Sequence, residues 1–192
     1  LEITTQGPIS DNFNLLVGGT IDYFTGSVDV PPVVPVVPPF VPDWKNYLFG
    51  LYGQVEYKLA NTKLVLGAQY NKPEGAPGKL VPRLAVIHNF TENFGVKALY
   101  GQAFRAPSVF ETDSTLTSGP LQFLGNSSLT HELVTNYYLQ FFYEKEQLQA
   151  SVTFFQSKQE DLIARVVTGP STIEFQNKNS LDIEGFEIES KF

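Results

Sequence analysis

The 192-residue sequence contains no cysteine, no methionine, one tryptophan and two histidines. Without cysteine there is no disulfide framework, no thiolate metal site and no thiol nucleophile. The histidines, His88 and His131, lie far apart in sequence and neither has a partner at ligand spacing, whereas a zinc site needs three or four clustered ligands. No catalytic residue, metal or cofactor is therefore expected. Charge is sparse as well, at 17% of residues, and 13 Lys and Arg against 20 Asp and Glu leave a net charge of −7. Neutralising phosphates requires a basic face, so nucleic acid is not an expected partner. Long hydrophobic runs are missing too: no stretch approaches the roughly 18 apolar residues of a transmembrane helix. The opening residues, LEITTQGPISD, lack the basic and apolar segments of a signal peptide, which is expected of the interior of a longer chain. A β-barrel escapes this hydropathy criterion, because only every second residue of its strands meets lipid.

What the chain has is aromatic residues, 16 Phe and 9 Tyr, in a sequence that is 42% hydrophobic. That composition disfavours a disordered chain or a helical bundle. Apolar residues recur with a period of two. Residues 12–24 read as a strand with Leu15, Val17, Ile21 and Tyr23 apolar, weakened at Gly18 and Gly19. Residues 30–42, VPPVVPVVPPFVP, cannot form a central strand, because proline removes a ladder donor; an extended polyproline-like loop is expected, and a stiff surface loop is favoured over a ligand for a proline-recognising module. Two hairpins are clear. In the first, Leu51, Val55, Tyr57 and Leu59 share a face with Leu64, Leu66, Ala68 and Tyr70, while Tyr52, Gln54, Glu56 and Lys58 oppose them across a turn at 60–62. In the second, Leu133, Tyr137, Leu139, Phe141 and Tyr143 match Leu148, Ala150, Val152 and Phe154 about a turn at 144–147. Further strands are expected around LVPRLAVIHNF and FGVKALYGQAFR, and DLIARVV and the C-terminal segment read as strand, loop and strand.

The connections alternate in length: long at 26–45, short at 60–62, medium at 72–79, short at 89–93, long at 107–130, short at 144–147, and medium to long after 158. Long loops at one end and tight turns at the other mark an up-and-down transmembrane barrel. The expected fold class is all-β, an antiparallel meander of about eight strands forming a segment of such a barrel. Its apolar face would meet lipid, its polar face a wet lumen, and rings near the strand ends, such as Tyr47, Tyr57 and Tyr70, would form interfacial girdles.

The most specific stretch is GQAFRAPSVFE, followed about fifteen residues later by GNSSLTHE. This resembles the barrel signature of TonB-dependent outer-membrane receptors, in which an FRAP-like tetrapeptide ends one strand and a GNPxLxPE-like element opens the next. Phe104, Arg105, Ala106, Pro107 and Glu111 match, as do Gly125, Asn126, Leu129 and Glu132; Ser127 and His131 stand where prolines are usual. Downstream, Phe175-Gln176-Asn177 and a strand carrying Gly185 and Glu187 repeat the family's Asn-rich connection and G-x-E strand in the same order. The resemblance implies a receptor in the outer membrane of a Gram-negative bacterium that imports a scarce ligand, a ferric siderophore first among siderophores, vitamins and saccharides. It implies an energy-coupling partner, the TonB complex, acting through a plug domain. Residues 1–192 are then expected to be a partial barrel without that plug, left as an open curved sheet. A soluble all-β carbohydrate-binding or adhesion domain is the alternative; it accounts for the aromatics and the acidity but not for the ordered motifs.

Within the motif, Arg105 reads either as a cation contacting plug or ligand, or as an anchor pairing with Glu111 at the loop base. The anchor is favoured, since a residue shared by receptors with different cargo is a poor recogniser of cargo. Ligand contacts are expected from the loops, with Phe40, Trp44, Phe110 and Phe123 as candidates.

Overall fold

The computed structural model describes residues 1–27 and 43–192. The proline-rich segment and Phe40 lie outside the described residues. Among the described residues eleven strands form one sheet: β1 (Glu2–Ser10), β2 (Phe13–Gly26), β3 (Trp44–Leu59), β4 (Thr62–Pro73), β5 (Lys79–Asn89), β6 (Phe94–Arg105), β7 (Thr115–Ser118), β8 (Leu121–Leu124), β9 (Glu132–Lys145), β10 (Leu148–Gly169) and β11 (Thr172–Lys191). One short helix, α1 (Val109–Asp113), precedes β7. The spatial order is β1-β2-β3-β4-β5-β6-β9-β10-β11-β8-β7. Nine long strands thus make an antiparallel meander, and the small β7–β8 hairpin, inserted between β6 and β9, lies parallel against the start of β11. No ladder joins β1 to β11 among the described residues, so the sheet is open, as a partial barrel requires.

Register follows the two-residue period. Leu15, Val55, Leu66, Leu84, Tyr100 and Tyr137 are successive ladder partners on one face. This face is apolar and open: Leu51, Leu66 and Phe154 are each about half exposed. Tyr23 and Tyr47 lie 4.8 Å apart and Tyr100 and Tyr137 5.3 Å apart, both pairs between neighbouring strands. The other face is concave and polar, carrying Tyr52, Gln54, Gln69 and Asn71. Only Val81, Leu129 and Phe175 are buried apolar residues among those described. A sheet of this size without a packed core cannot hold its apolar face in water; lipid on one side and a wet interior on the other satisfy both.

Three features depart from the sequence pattern. β1 precedes the first strand the pattern picked out, bringing the meander to nine; its Gly7 and Pro8 mask the period, yet Thr5 and Gly7 still pair with Val17 and Leu15. The 107–130 connection contains α1 and the β7–β8 hairpin. The expected medium-to-long connection after residue 158 is absent: β10 runs unbroken through DLIARVV, β11 starts at Thr172, and a tight turn at 170–171 joins them. A register shift at 159–162, with Asp161 at φ 56°, carries the chain through this polar region. Polar residues occupy both faces there, so alternation no longer reports a strand.

Candidate functional site

The site is built where β6 stops. Arg105 is its last residue and pairs in register with Glu132, the first of β9. Ala106 and Pro107 break the ladder, and the chain turns into α1, whose N-terminus is a capping box: the Ser108 hydroxyl accepts from the Glu111 amide, and the Glu111 carboxylate accepts from the Ser108 amide at 2.8 Å. That carboxylate is thereby aimed back at Arg105. Nη1 and Nη2 of Arg105 donate to Glu111 at 2.7 and 3.0 Å, while Nε and Nη2 donate to Glu132 at 2.7 and 2.8 Å. Two carboxylates therefore chelate one guanidinium, in the fork geometry that arginine supports and lysine does not. Glu132 also accepts the Ile163 amide of β10 at 2.7 Å, which ties a third strand into the cluster. Burial disfavours ionised Glu111, but the bonds from Arg105 and Ser108 outweigh it and hold its carboxyl below the ordinary range.

The second half of the motif closes the same loop. Gly125 passes so close to α1 that a Cβ there would stand 2.6 Å from the Thr112 carbonyl carbon and oxygen. Its amide donates to Ser114, and the Asn126 amide donates to the Glu111 carbonyl. Asn126 caps its own turn through Ser128 and donates from Nδ2 to the Phe175 carbonyl at 2.9 Å. Asn177 mirrors it from β11, accepting from the Thr130 amide and donating to the carbonyls of Thr130 and Asp161. Leu129 is buried beneath. Phe104 meets His131 edge to face at 4.8 Å. The His131 ring is buried and its Nε2 has no partner among the described residues. Burial, with smaller contributions from Lys79 and Lys72, lowers the pKa of that ring. The motif residues thus form one clamp joining β6, α1, β9, β10 and β11.

The remaining sequence candidates lie elsewhere. Gly185 sits opposite Phe155, where a Cβ would press on the phenylalanine ring at 2.9 Å. Glu187, opposite Thr153, is exposed on the concave face. Trp44 opens β3 across from Gly26. Phe110 packs edge to face on Phe175 at 5.6 Å, and the Arg165 guanidinium lies 6.0 Å from the Phe123 ring; both phenylalanines are half-buried. Sequence reasoning missed Arg165, which sat in an unremarkable strand, and it missed the capping box, which the S-x-x-E spacing of Ser108 and Glu111 does signal. Among the described residues no three His, Asp or Glu side chains come together as a metal site would require. Below the clamp, the concave face encloses a hollow of about 700 Å³ lined by Tyr52, Gln54, Gln69, Asn71, Arg83 and Arg105.

Comparison with known proteins places this geometry. No curated sequence matches the chain. The family model described as TonB dependent receptor-like, beta-barrel matches residues 2–192. Among solved structures, the ferric enterobactin receptor mutant Q482A of Pseudomonas aeruginosa, in complex with enterobactin, superposes with a TM-score of 0.79 at 17% identity, over 97% of this chain and 32% of that one. The siderophore receptor PirA of the same species gives 0.78 at 19% identity, over 97% and 37%. The FrpB iron transporter of Neisseria meningitidis gives 0.72 at 14% identity, over 97% and 31%. The chain spans about a third of the length of these structures. With the family model covering all but the first residue, and the open nine-strand meander and loop-base clamp already described, the chain belongs to the TonB-dependent receptor β-barrel family.

Proposed function

We propose that this chain is part of the barrel of an outer-membrane receptor that takes up a scarce ligand, a ferric siderophore in the first instance, with energy delivered by the TonB complex through a plug domain. The observation that carries this is the two-faced sheet: a convex face of half-exposed Leu, Phe and Tyr backs a polar concave face, with almost no buried core among the described residues. Family membership and the siderophore receptors among the structural neighbours support the receptor role. A soluble adhesion domain would need a packed interior that the described residues do not provide. The barrel does no bond chemistry in this scheme; it anchors loops and surrounds a path. The motif residues from Phe104 to Glu132, with Gly185 and Glu187, act structurally, and ligand contacts come from the rims where Phe40, Trp44, Phe110 and Phe123 are placed in sequence.

The test is fractionation and uptake. The full-length protein should partition with outer membranes, require detergent for extraction, and restore iron-limited growth on one supplied siderophore in a receptor-deficient Gram-negative host. A protein that is monodisperse in plain buffer defeats the membrane assignment. Growth that is independent of every siderophore tried, in cells with the protein correctly inserted, defeats the ligand assignment alone.

A further inference from the structure

His131 stands at one of the two positions where this chain departs from the loop-base motif, and its side chain is buried. Nothing in the clamp uses it. The ring meets Phe104 edge to face at 4.8 Å, and its Nε2 is closed off from water without a hydrogen-bond partner among the described residues. A neutral imidazole tolerates this, because one of its two nitrogens carries no proton. An imidazolium does not: both nitrogens then donate, and a charged N–H would face a dry position that holds no acceptor.

The surrounding charges raise that cost. Phe104 lies on the side of β6 that bears Tyr100, whereas Arg105 and its partner Glu132 lie on the other, as successive strand residues do. The clamp carboxylates Glu111 and Glu132 are already chelated by Arg105. From β4 and β5 the charges that act on the ring are Lys72 and Lys79, and both repel a further cation. On β10, Lys158 and Glu160 stand opposite Thr135 and Leu133; both are exposed, as is Asp161. No carboxylate forms an ion pair with the ring among the described residues. Burial first, and the two lysines second, hold the His131 pKa below its ordinary 6.5. The neighbouring Thr130 ties this turn to β11: its amide donates to Asn177 Oδ1 at 2.8 Å and its carbonyl accepts from Asn177 Nδ2 at 3.0 Å. We infer that His131 is an acid-sensitive latch. Neutral, it docks against Phe104 and seats Thr130 on Asn177; protonated, it leaves for water and frees residues 129–131 from β11. In an outer-membrane receptor this end of the sheet carries the long loops, so the acidity of the medium sets how firmly the 107–130 loop is tied down. That last consequence rests on the receptor proposal; the latch itself does not.

The test is hydrogen exchange on the full-length protein in detergent from about pH 7.5 to about pH 5, read as protection factors, with the His131 ring titrated by NMR. Because the folded-state pKa is lowered, the latch holds fully above about pH 6.5 and is lost as pH falls through the folded value, with a limiting slope of about tenfold in protection per pH unit for one proton. The Thr130 amide should show this fall. Residues 108–113, held by Arg105 and the Ser108 capping box, should not, and neither should the centre of β3. His131→Phe, which keeps the ring contact and cannot titrate, should remove the step while preserving protection at the upper pH. Lys72→Gln with Lys79→Gln should shrink it, since the ring then protonates nearer its ordinary pH. Heat-modifiable gel mobility shows whether each variant is folded, and His131→Gln supplies the non-titrating comparison if His131→Phe is not. A Thr130 amide equally protected at both ends of the range in the wild type, or a step that persists in a folded non-titrating variant, overturns the latch. Either result leaves the receptor proposal standing, since that is decided by membrane insertion and siderophore-dependent growth.

Discussion

Glu132→Ala is the most informative single change, because one carboxylate joins three elements. It removes two charge-assisted bonds from Arg105 and the bond from the Ile163 amide. The Arg105 side chain is 46% exposed and Glu132 only 14%, so water recovers much of the arginine's loss but little at Ile163. Discounting the two guanidinium bonds to roughly 0.5–1 kcal/mol each, and taking about 1 kcal/mol for the stranded amide, gives a total of roughly 2–3 kcal/mol. At about 1.4 kcal/mol per factor of ten, local opening should rise about 30- to 150-fold. Hydrogen exchange in detergent reads this directly. Protection should fall at the amides of residues 108–113, 126 and 163, while amides in the centres of β3, β4 and β5 keep theirs. In an Arg105→Gln background the same substitution should cost only about 1 kcal/mol, the Ile163 share. Equal losses in both backgrounds, or a uniform loss across the sheet, would refute the clamp as the unit that holds the loop.

Other consequences follow from the same geometry. Because the folded-state pKa of Glu111 lies below its ordinary value of 4.5, its contribution is present above that value and is lost as pH falls through the lower folded value. Protection of residues 108–113 should therefore survive acidification to about pH 4.5 and fall below it, and Glu111→Gln should shrink that step to the share left with Glu132. Gly125→Ala should cost roughly 1–3 kcal/mol, since backbone rather than a flexible side chain meets the new methyl; a melting shift near zero would contradict the close approach. Leu66→Lys on the convex face should destabilise the bilayer-inserted protein by roughly 2–4 kcal/mol, while Gln69→Lys on the concave face should be close to neutral. Urea titration in liposomes compares the two, and equal costs would mean the faces are misassigned.

Tertiary structure and sequence divide this protein along a physical line. Where a strand separates two different solvents and its two-residue period is unbroken, the sequence alone was decisive; β1, interrupted by Gly7 and Pro8, was missed. Leu51, Val55 and Tyr57 against Tyr52, Gln54 and Glu56 fix strand, face and register together, because slipping by one residue would turn every apolar side chain into the polar interior. The same holds for the loop-base motif as a pattern, since Pro107 must end β6 and Gly125 must lie where no side chain fits. Where both faces meet water the period vanishes, and so β7, β8 and the unbroken run of β10 through 159–162 were invisible until folded. Contacts between residues far apart in the chain were equally hidden. That Glu132 would take the Ile163 amide, that Asn177 would close on Thr130, and that Arg165 would settle between Phe123 and Phe175 depend on the register shift at 159–162 and on β8 docking against β11. Alternation encodes which side of a strand is wet; only the completed sheet decides which distant groups share that side.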